Sequence, residues 1–301
     1  MDEQAAFQAR QQSEIAGPRV LALHPTCVCA HDCAPCYLKG HRYGAEKPLS
    51  FFTQLVREAA QSGSIREVAL AVNLDPPGST RNRDVLRGIS EAIRGAGLKL
   101  AVTTNYENVR DWGSEPFGLC HHVALSVDEY KFPTLRLPAD FFTVVTRLQA
   151  EGTVASLNVL LSRKLLDHLT LPRLRRWLGI ADQVYLLVPK HHKLDFSRAE
   201  LMAFFARTAP IWEEPDRFFH LQLDNCIKPE VFPWNQLTPT CDWGENLVNV
   251  LPDGGLALCA MDEPKTHLNG AGALLPVIHR YYTAERQKGR THCPFITFGS
   301  P

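Results

Sequence analysis

Three cysteines, Cys29, Cys33 and Cys36, stand at x3 and x2 spacing just beyond the apolar run 19–23 and the residues His24, Pro25 and Thr26. Three thiolates can hold three irons of a [4Fe–4S] cluster and leave the fourth iron open to a small molecule, a catalytic arrangement rather than a closed structural one. Short cysteine spacings also suit tetrahedral zinc. Zinc ribbons pair one Cys-x2-Cys with another, however, whereas here a third cysteine extends the pair at x3. Cys27 offers a further x5 spacing to Cys33 and is read as a spare thiol.

The chain holds nine cysteines: four between residues 27 and 36, four more at Cys226, Cys241, Cys259 and Cys293, and Cys120 alone between the groups. Residues 1–18 are polar, unlike a charged start followed by an apolar core, and no stretch is apolar enough to span a bilayer. The expected compartment is the cytoplasm, where such cysteines serve as metal ligands or reactive thiols more often than as disulfides. Residues 248–259 read as apolar run, Pro-Asp-Gly turn, apolar run and cysteine, a β-hairpin that ends on Cys259 and follows Cys241. With Cys226 and Cys293 this makes four thiols, enough for one fully ligated [4Fe–4S] cluster. His292 is an alternative fourth ligand, and burial as small apolar residues is the other reading of Cys226 and Cys293.

These residues need a scaffold, and 301 residues suffice for one domain with an appendage, burying roughly 75% of the unfolded chain's surface. The 32 basic and 32 acidic side chains cancel, so no global field favours a polyanion such as nucleic acid. Helical periodicity over 51–62, with Ser50 as N-cap, is followed by a strand at 67–72, a helix at 85–96 and a strand at 98–103. Strands at 123–127, 154–161 and 183–188 alternate with helices at 140–151 and 171–178, and Ser197 with Glu200 forms a capping box before another helix. Counted from Val20, six β/α units are complete by residue 208, which implies a parallel sheet, either doubly wound or curled into a partial barrel.

The cysteine loop, together with the strand endings behind it, resembles the radical S-adenosylmethionine (SAM) superfamily. The resemblance implies an α/β partial (β/α)6 TIM-like barrel over residues 19–210, preceded by an extension at 1–18. Ligands in such folds lie at the carboxyl ends of the strands. In the family the second strand ends in Gly-Gly-Glu-Pro and meets the SAM amino group; here Asn73, Leu74, Asp75 and Pro76 stand there, with Asp75 the corresponding carboxylate or simply part of an Asp-Pro-Pro-Gly turn. Thr104 and Asn105 after the third strand, Ser126 in the fourth, Asn158 and Arg163 in and beyond the fifth, and Leu187 in the sixth are the other implied SAM contacts. Pro35 and Tyr37 depart from the usual pattern, in which an aromatic precedes the last cysteine.

The hairpin resembles the opening of SPASM and twitch domains, which implies a small α+β cysteine-rich extension over 211–301. Its auxiliary cluster would be held by Cys226, Cys241, Cys259 and Cys293. The function so implied is reductive cleavage of SAM at the cluster on Cys29, Cys33 and Cys36 to a 5′-deoxyadenosyl radical, which abstracts hydrogen from a peptide or small metabolite. The outcome would be oxidation, cross-linking or sulfur insertion, with electrons from a donor such as flavodoxin or ferredoxin. Asp128, Glu129, Tyr130, Lys190 and His191 are candidates for substrate contact by their place at strand ends, and Cys120, before the fourth strand, is expected at the far end of the sheet. Two alternatives remain: a radical SAM enzyme without an auxiliary cluster, and a non-catalytic zinc or iron–sulfur module.

Overall fold

The computed structural model describes residues 18–34, 36, 38, 44–189, 193–214, 220–224, 226, 227, 247–259, 264–270, 272, 274, 276–278, 298 and 299. Six β/α units are present, as the periodicity implies. Strands β1 (Val20–Leu23), β2 (Glu67–Ala71), β3 (Lys99–Thr104), β4 (His122–Val127), β5 (Val154–Leu160) and β6 (Gln183–Leu187) lie side by side in chain order. All five pairings between them are parallel.

Between the strands run helices α1 (Leu49–Gln61), α2 (Arg81–Ile93), α3 (Tyr106–Trp112), α4 (Phe141–Ala150), α5 (Arg163–His168) and α6 (Leu171–Leu178), and α7 (Arg198–Trp212) follows β6. Their apolar stripes cover one face of the sheet: Phe52, Leu55, Val56 and Ala59 of α1 and Val85, Leu86, Ile89 and Ile93 of α2 share a core with Val68, Leu70, Leu100 and Val102. Each fully buried side chain of this size contributes about 1.5–3 kcal/mol. The same alternation leaves Ala69, Ala71, Ala101 and Thr103 on the opposite face of the sheet.

Element ends show where local chemistry prevails over periodicity. Ser50 lies inside α1, which starts after Pro48. Helix α2 begins at Arg81 rather than 85 because the carboxylate of Asp75 accepts from the backbone N–H of Asn82 (2.8 Å) and Arg83 (3.3 Å), amides that a helix start leaves unpaired. The capping box before α7 is complete: the Glu200 N–H donates to Ser197 Oγ (3.2 Å), and the Ser197 N–H to Glu200 Oε2 (2.7 Å). Helices α3 and α5, of seven and six residues, escape a periodicity argument by their length.

The 248–259 stretch does form a hairpin, of β8 (Leu247–Val250) and β9 (Gly255–Ala257), and it joins the sheet of the β/α units. Strand β8 pairs in parallel with β1, while β7 (Leu221–Leu223) extends the other edge beside β6. With β10 (Thr266–His267) against β9, the order is β10-β9-β8-β1-β2-β3-β4-β5-β6-β7. The described strands of 211–301 thus belong to the same ten-stranded sheet as the barrel units.

Gly254 makes the hairpin turn possible. Its φ is +83°, and a Cβ there would stand 3.1 Å from the Leu268 carbonyl oxygen and 3.1 Å from Lys47 Cε. Replacing Gly254 with alanine should therefore cost about 1–3 kcal/mol, read as a lowered urea midpoint with an unchanged slope. A midpoint within error of the parent would show that the turn tolerates a side chain.

Candidate functional site

The cysteine loop leaves β1 at the carboxyl end of the sheet and is tied down from three sides. From the hairpin, the Val250 carbonyl accepts from the His24 N–H (2.9 Å), and Asn249 Oδ1 meets His24 Nε2 (3.2 Å). From the β2–α2 connection and the first turn of α2, Asn73 Nδ2 donates to the Thr26 carbonyl (3.1 Å), Asn82 Nδ2 donates to the Val28 carbonyl (3.2 Å), and the Leu74 carbonyl accepts from the Ala30 N–H (2.9 Å). From the returning chain, Glu46 accepts from Thr26 Oγ1 (3.0 Å) and from the Cys27 N–H (2.8 Å), and it is ion-paired with Arg81. The segment after the loop is fastened to the hairpin turn by Gly44 N–H to Asp253 Oδ2 (3.1 Å) and Lys47 N–H to the Pro252 carbonyl (2.7 Å).

Cys29, Cys33 and Cys36 are half-buried on this loop, and a hydrogen bond from the Cys36 N–H to the Cys33 carbonyl (3.2 Å) makes the turn between the last two. Burial pushes the Cys33 thiol up; the Lys131 ammonium opposes the shift, while Asp128, Cys36 and Cys29 add to it. Cys33 thus lies within electrostatic reach of both Cys29 and Cys36. In this conformation no three His, Cys, Asp or Glu side chains among the described residues are grouped closely enough to hold a metal ion. Cys27 is exposed and its Sγ donates to Glu46 Oε1 (3.1 Å); burial first, then the carboxylate, raise its pKa and keep it protonated. Cys120 is buried before β4, away from the loop, and burial pushes it up to about 12.

Beside Ala34, between Cys33 and Cys36, a cleft of about 210 Å³ opens at the carboxyl ends of β4, β5 and β6. Glu129, Tyr130, Ser162, Lys193 and Asp195 supply its polar wall, and Leu160 and Leu161 its apolar one. Asp128, just before Glu129, accepts from the Tyr130 and Lys131 N–H groups (3.0 Å each) and is ion-paired with Lys131.

No family model matches the chain, and no curated protein matches it in sequence. Solved structures do match it in shape. SuiB of Streptococcus suis bound to the precursor peptide SuiA superposes with a TM-score of 0.67 at 15% identity, over 94% of this chain and 71% of that one. SuiB bound to S-adenosylmethionine gives 0.64 at 15% identity over 92% and 68%. The protein anSMEcpe with bound AdoMet and Cp18Cys peptide gives 0.57 at 12% identity over 93% and 82%. This chain has their fold. Of the two architectures that the periodicity allows, it is the partial TIM-like barrel.

Within that fold the residues expected at a SAM site fall into three groups. Ser126 and Asn158 are register partners on the face that the helices leave open, beside Tyr185 of β6. Leu187 ends β6 on the same face, half-buried, and its carbonyl accepts from the Leu161 N–H (2.7 Å). Thr104 and Asn105, in contrast, are buried: Thr104 Oγ1 donates to the Val72 carbonyl (3.0 Å) and accepts from Asn108 Nδ2 (2.9 Å), while Asn105 stands at the N-cap of α3. Thr103 takes the open-face position instead, where Asn158 Nδ2 reaches its Oγ1 at 3.4 Å. A one-residue offset in a strand exchanges the two faces, and only the observed register reveals which threonine faces which way.

The charged residues are committed to the scaffold. Asp75 caps α2 and accepts also from Asn82 Nδ2 (3.1 Å), and Arg163 is paired with Glu200 at 3.0 Å while its N–H meets Asp195. Cys226 and Cys259 are half-buried; Cys241 and Cys293, like Lys190, His191 and His292, lie outside the described residues.

His24 carries a pH signature. Burial lowers its pKa to about 4, against the small upward pull of its bond to Asn249, so it is neutral in the fold. A lowered folded pKa means that the unfolded chain binds the extra proton first, so this contribution to stability is intact above pH 6.5 and drains away as the pH falls towards 4. Over that range the loss is about 3 kcal/mol. Replacing His24 with glutamine should flatten the stability profile between pH 6.5 and 4 in urea titrations, and an unchanged slope would assign the acid sensitivity to other groups.

Proposed function

We propose that the chain is a radical SAM enzyme acting on a peptide or a small metabolite. What carries the proposal is the pairing of three half-buried thiols with the cleft beside Ala34 at the carboxyl mouth of a partial barrel. The donor set fits a [4Fe–4S] cluster with one open iron. Three soft ligands share one loop, while among the described residues Cys27 is turned to Glu46 and His31 faces Glu107.

When bound, the cluster and SAM would supply one-electron cleavage of the sulfonium to a carbon radical that abstracts hydrogen. The chain's own part is to hold, orient and exclude water. Cys29, Cys33 and Cys36 bind the metal. Thr103, Ser126 and Asn158 offer hydroxyl and amide groups along the open face, and the Leu160–Leu161 wall shields the cleft. Glu129, Tyr130 and Lys193 are placed to meet a substrate at its rim. A peptide substrate draws support from the peptide-bound neighbours of the same fold, SuiB and anSMEcpe. The low-potential electron would come from a flavodoxin or ferredoxin type of donor.

A second cluster on Cys226, Cys241, Cys259 and Cys293 belongs to the same reading, assisting an oxidation, cross-link or sulfur insertion. Iron, sulfide and zinc analysis after anaerobic reconstitution should find about eight irons per chain for two clusters or about four for one. Zinc alone would overturn the reading. Alanine at Cys29, Cys33 and Cys36 together should abolish 5′-deoxyadenosine formation from SAM and dithionite, so cleavage that survives this change would refute the assignment.

A further inference from the structure

Four carboxylates surround the cysteine loop, and three have their hydrogen bonding complete. Glu46 takes Thr26, Cys27 and Arg81; Asp75 takes the α2 amides and Asn82; Asp128 takes the Tyr130 and Lys131 amides and the Lys131 ammonium. The fourth, Glu107 in the first turn of α3, is unfinished. Its Oε2 is buried without a hydrogen-bond partner, and so is the Nε2 of His31, which faces it at 3.9 Å. That distance allows attraction but no hydrogen bond. Two opposed buried polar atoms without partners are an unfavourable arrangement that an approach of about 1 Å would relieve.

His31 lies midway between Cys29 and Cys33. Any adjustment of the 29–33 span as the three thiolates take up a cluster carries His31 with it, and Glu107 waits at 3.9 Å. We propose that Glu107 is a positioning residue for the metal-loaded loop: it accepts a hydrogen bond from His31 once the three cysteines close on the cluster, and so locks the loop in its loaded form. The inference rests on the iron–sulfur reading above. It gives the pair the place of an outer-shell partner, acting on the ligands through the loop that carries them.

The test uses the full chain before and after anaerobic reconstitution. E107A and H31A should each release iron to a ferrous chelator about tenfold faster than the parent, as loss of outer-shell partners does. The double variant should be no faster than either single one, and E107Q, which keeps an acceptor, should fall between. Before reconstitution the melting temperatures of the variants should match or exceed the parent's, because the pair is unsatisfied in the empty protein. Iron release at the parent rate would overturn the proposal, as would melting temperatures lowered already in the empty chain, which mark an ordinary structural contact. If the parent itself takes up no iron, the iron–sulfur reading fails and the proposal goes with it.

Discussion

Beyond His24, whose N–H makes the last bond to β8, residues 25–30 cross the end of the parallel sheet outside its strand ladders, and their polar groups require partners. Side chains from neighbouring elements provide them. Asn73, Asn82 and Glu46 each aim a short polar side chain at the loop backbone. A single bond of this kind is worth only about 0.5–1.5 kcal/mol net, but removing one partner strands a buried carbonyl or amide and costs more. Where the cysteines sit is therefore decided by the β2–α2 connection and by Glu46 as much as by β1.

The same requirement explains why the carboxy-terminal hairpin is built into the barrel sheet. Strand β1 is flanked by β2 on one side and β8 on the other, so the strand that launches the loop is central and paired along both edges. Asp253 in the hairpin turn accepts from Gly44 and Gly255, and its neighbour Pro252 accepts from Lys47, which fixes the chain where it returns from the loop. Glu58 of α1, though buried, accepts from the backbone N–H groups of Gly272 and Leu274 and ties a further carboxy-terminal segment to the barrel. The β1–β8 pairing, the bonds of Gly44 and Lys47 to the hairpin turn and those of Glu58 to Gly272 and Leu274 all join residues before 210 to residues after it.

The six β/α units were legible because buried strands and amphipathic helices differ in period over five or more residues. Helices α3 and α5 were not, being shorter than two full turns of pattern. The β8–β1 pairing was beyond reach for another reason: its partners lie more than 220 residues apart, and nothing local marks an apolar strand for one edge over another. At the site the cysteine triad was plain from spacing alone, whereas Thr103 was hidden by Thr104. Two adjacent residues of the same type carry no sign of which one faces the helices, and only the register with Ala71 and Ala124 shows it. Glu107 left no trace in any motif, because its significance lies in a through-space approach to His31.

The departure from a glycine-rich ending after β2 has a physical meaning in this light. Glycines would leave the backbone bare for a ligand; Asn73, Leu74 and Asp75 instead spend their polar groups on the chain itself, Asn73 on the loop and Asp75 on the start of α2. Carboxylates that are already satisfied have little to offer an incoming ammonium, since each new bond would displace one the fold relies on. The neutral polar groups of the open face remain uncommitted to helix starts, the register setting Thr103 beside Ala71 and Ala124, and Ser126 beside Asn158. Alanines at 69, 71, 101 and 124 keep that face low between the polar positions, so the sheet presents small side chains interrupted by the few that carry hydroxyl or amide groups.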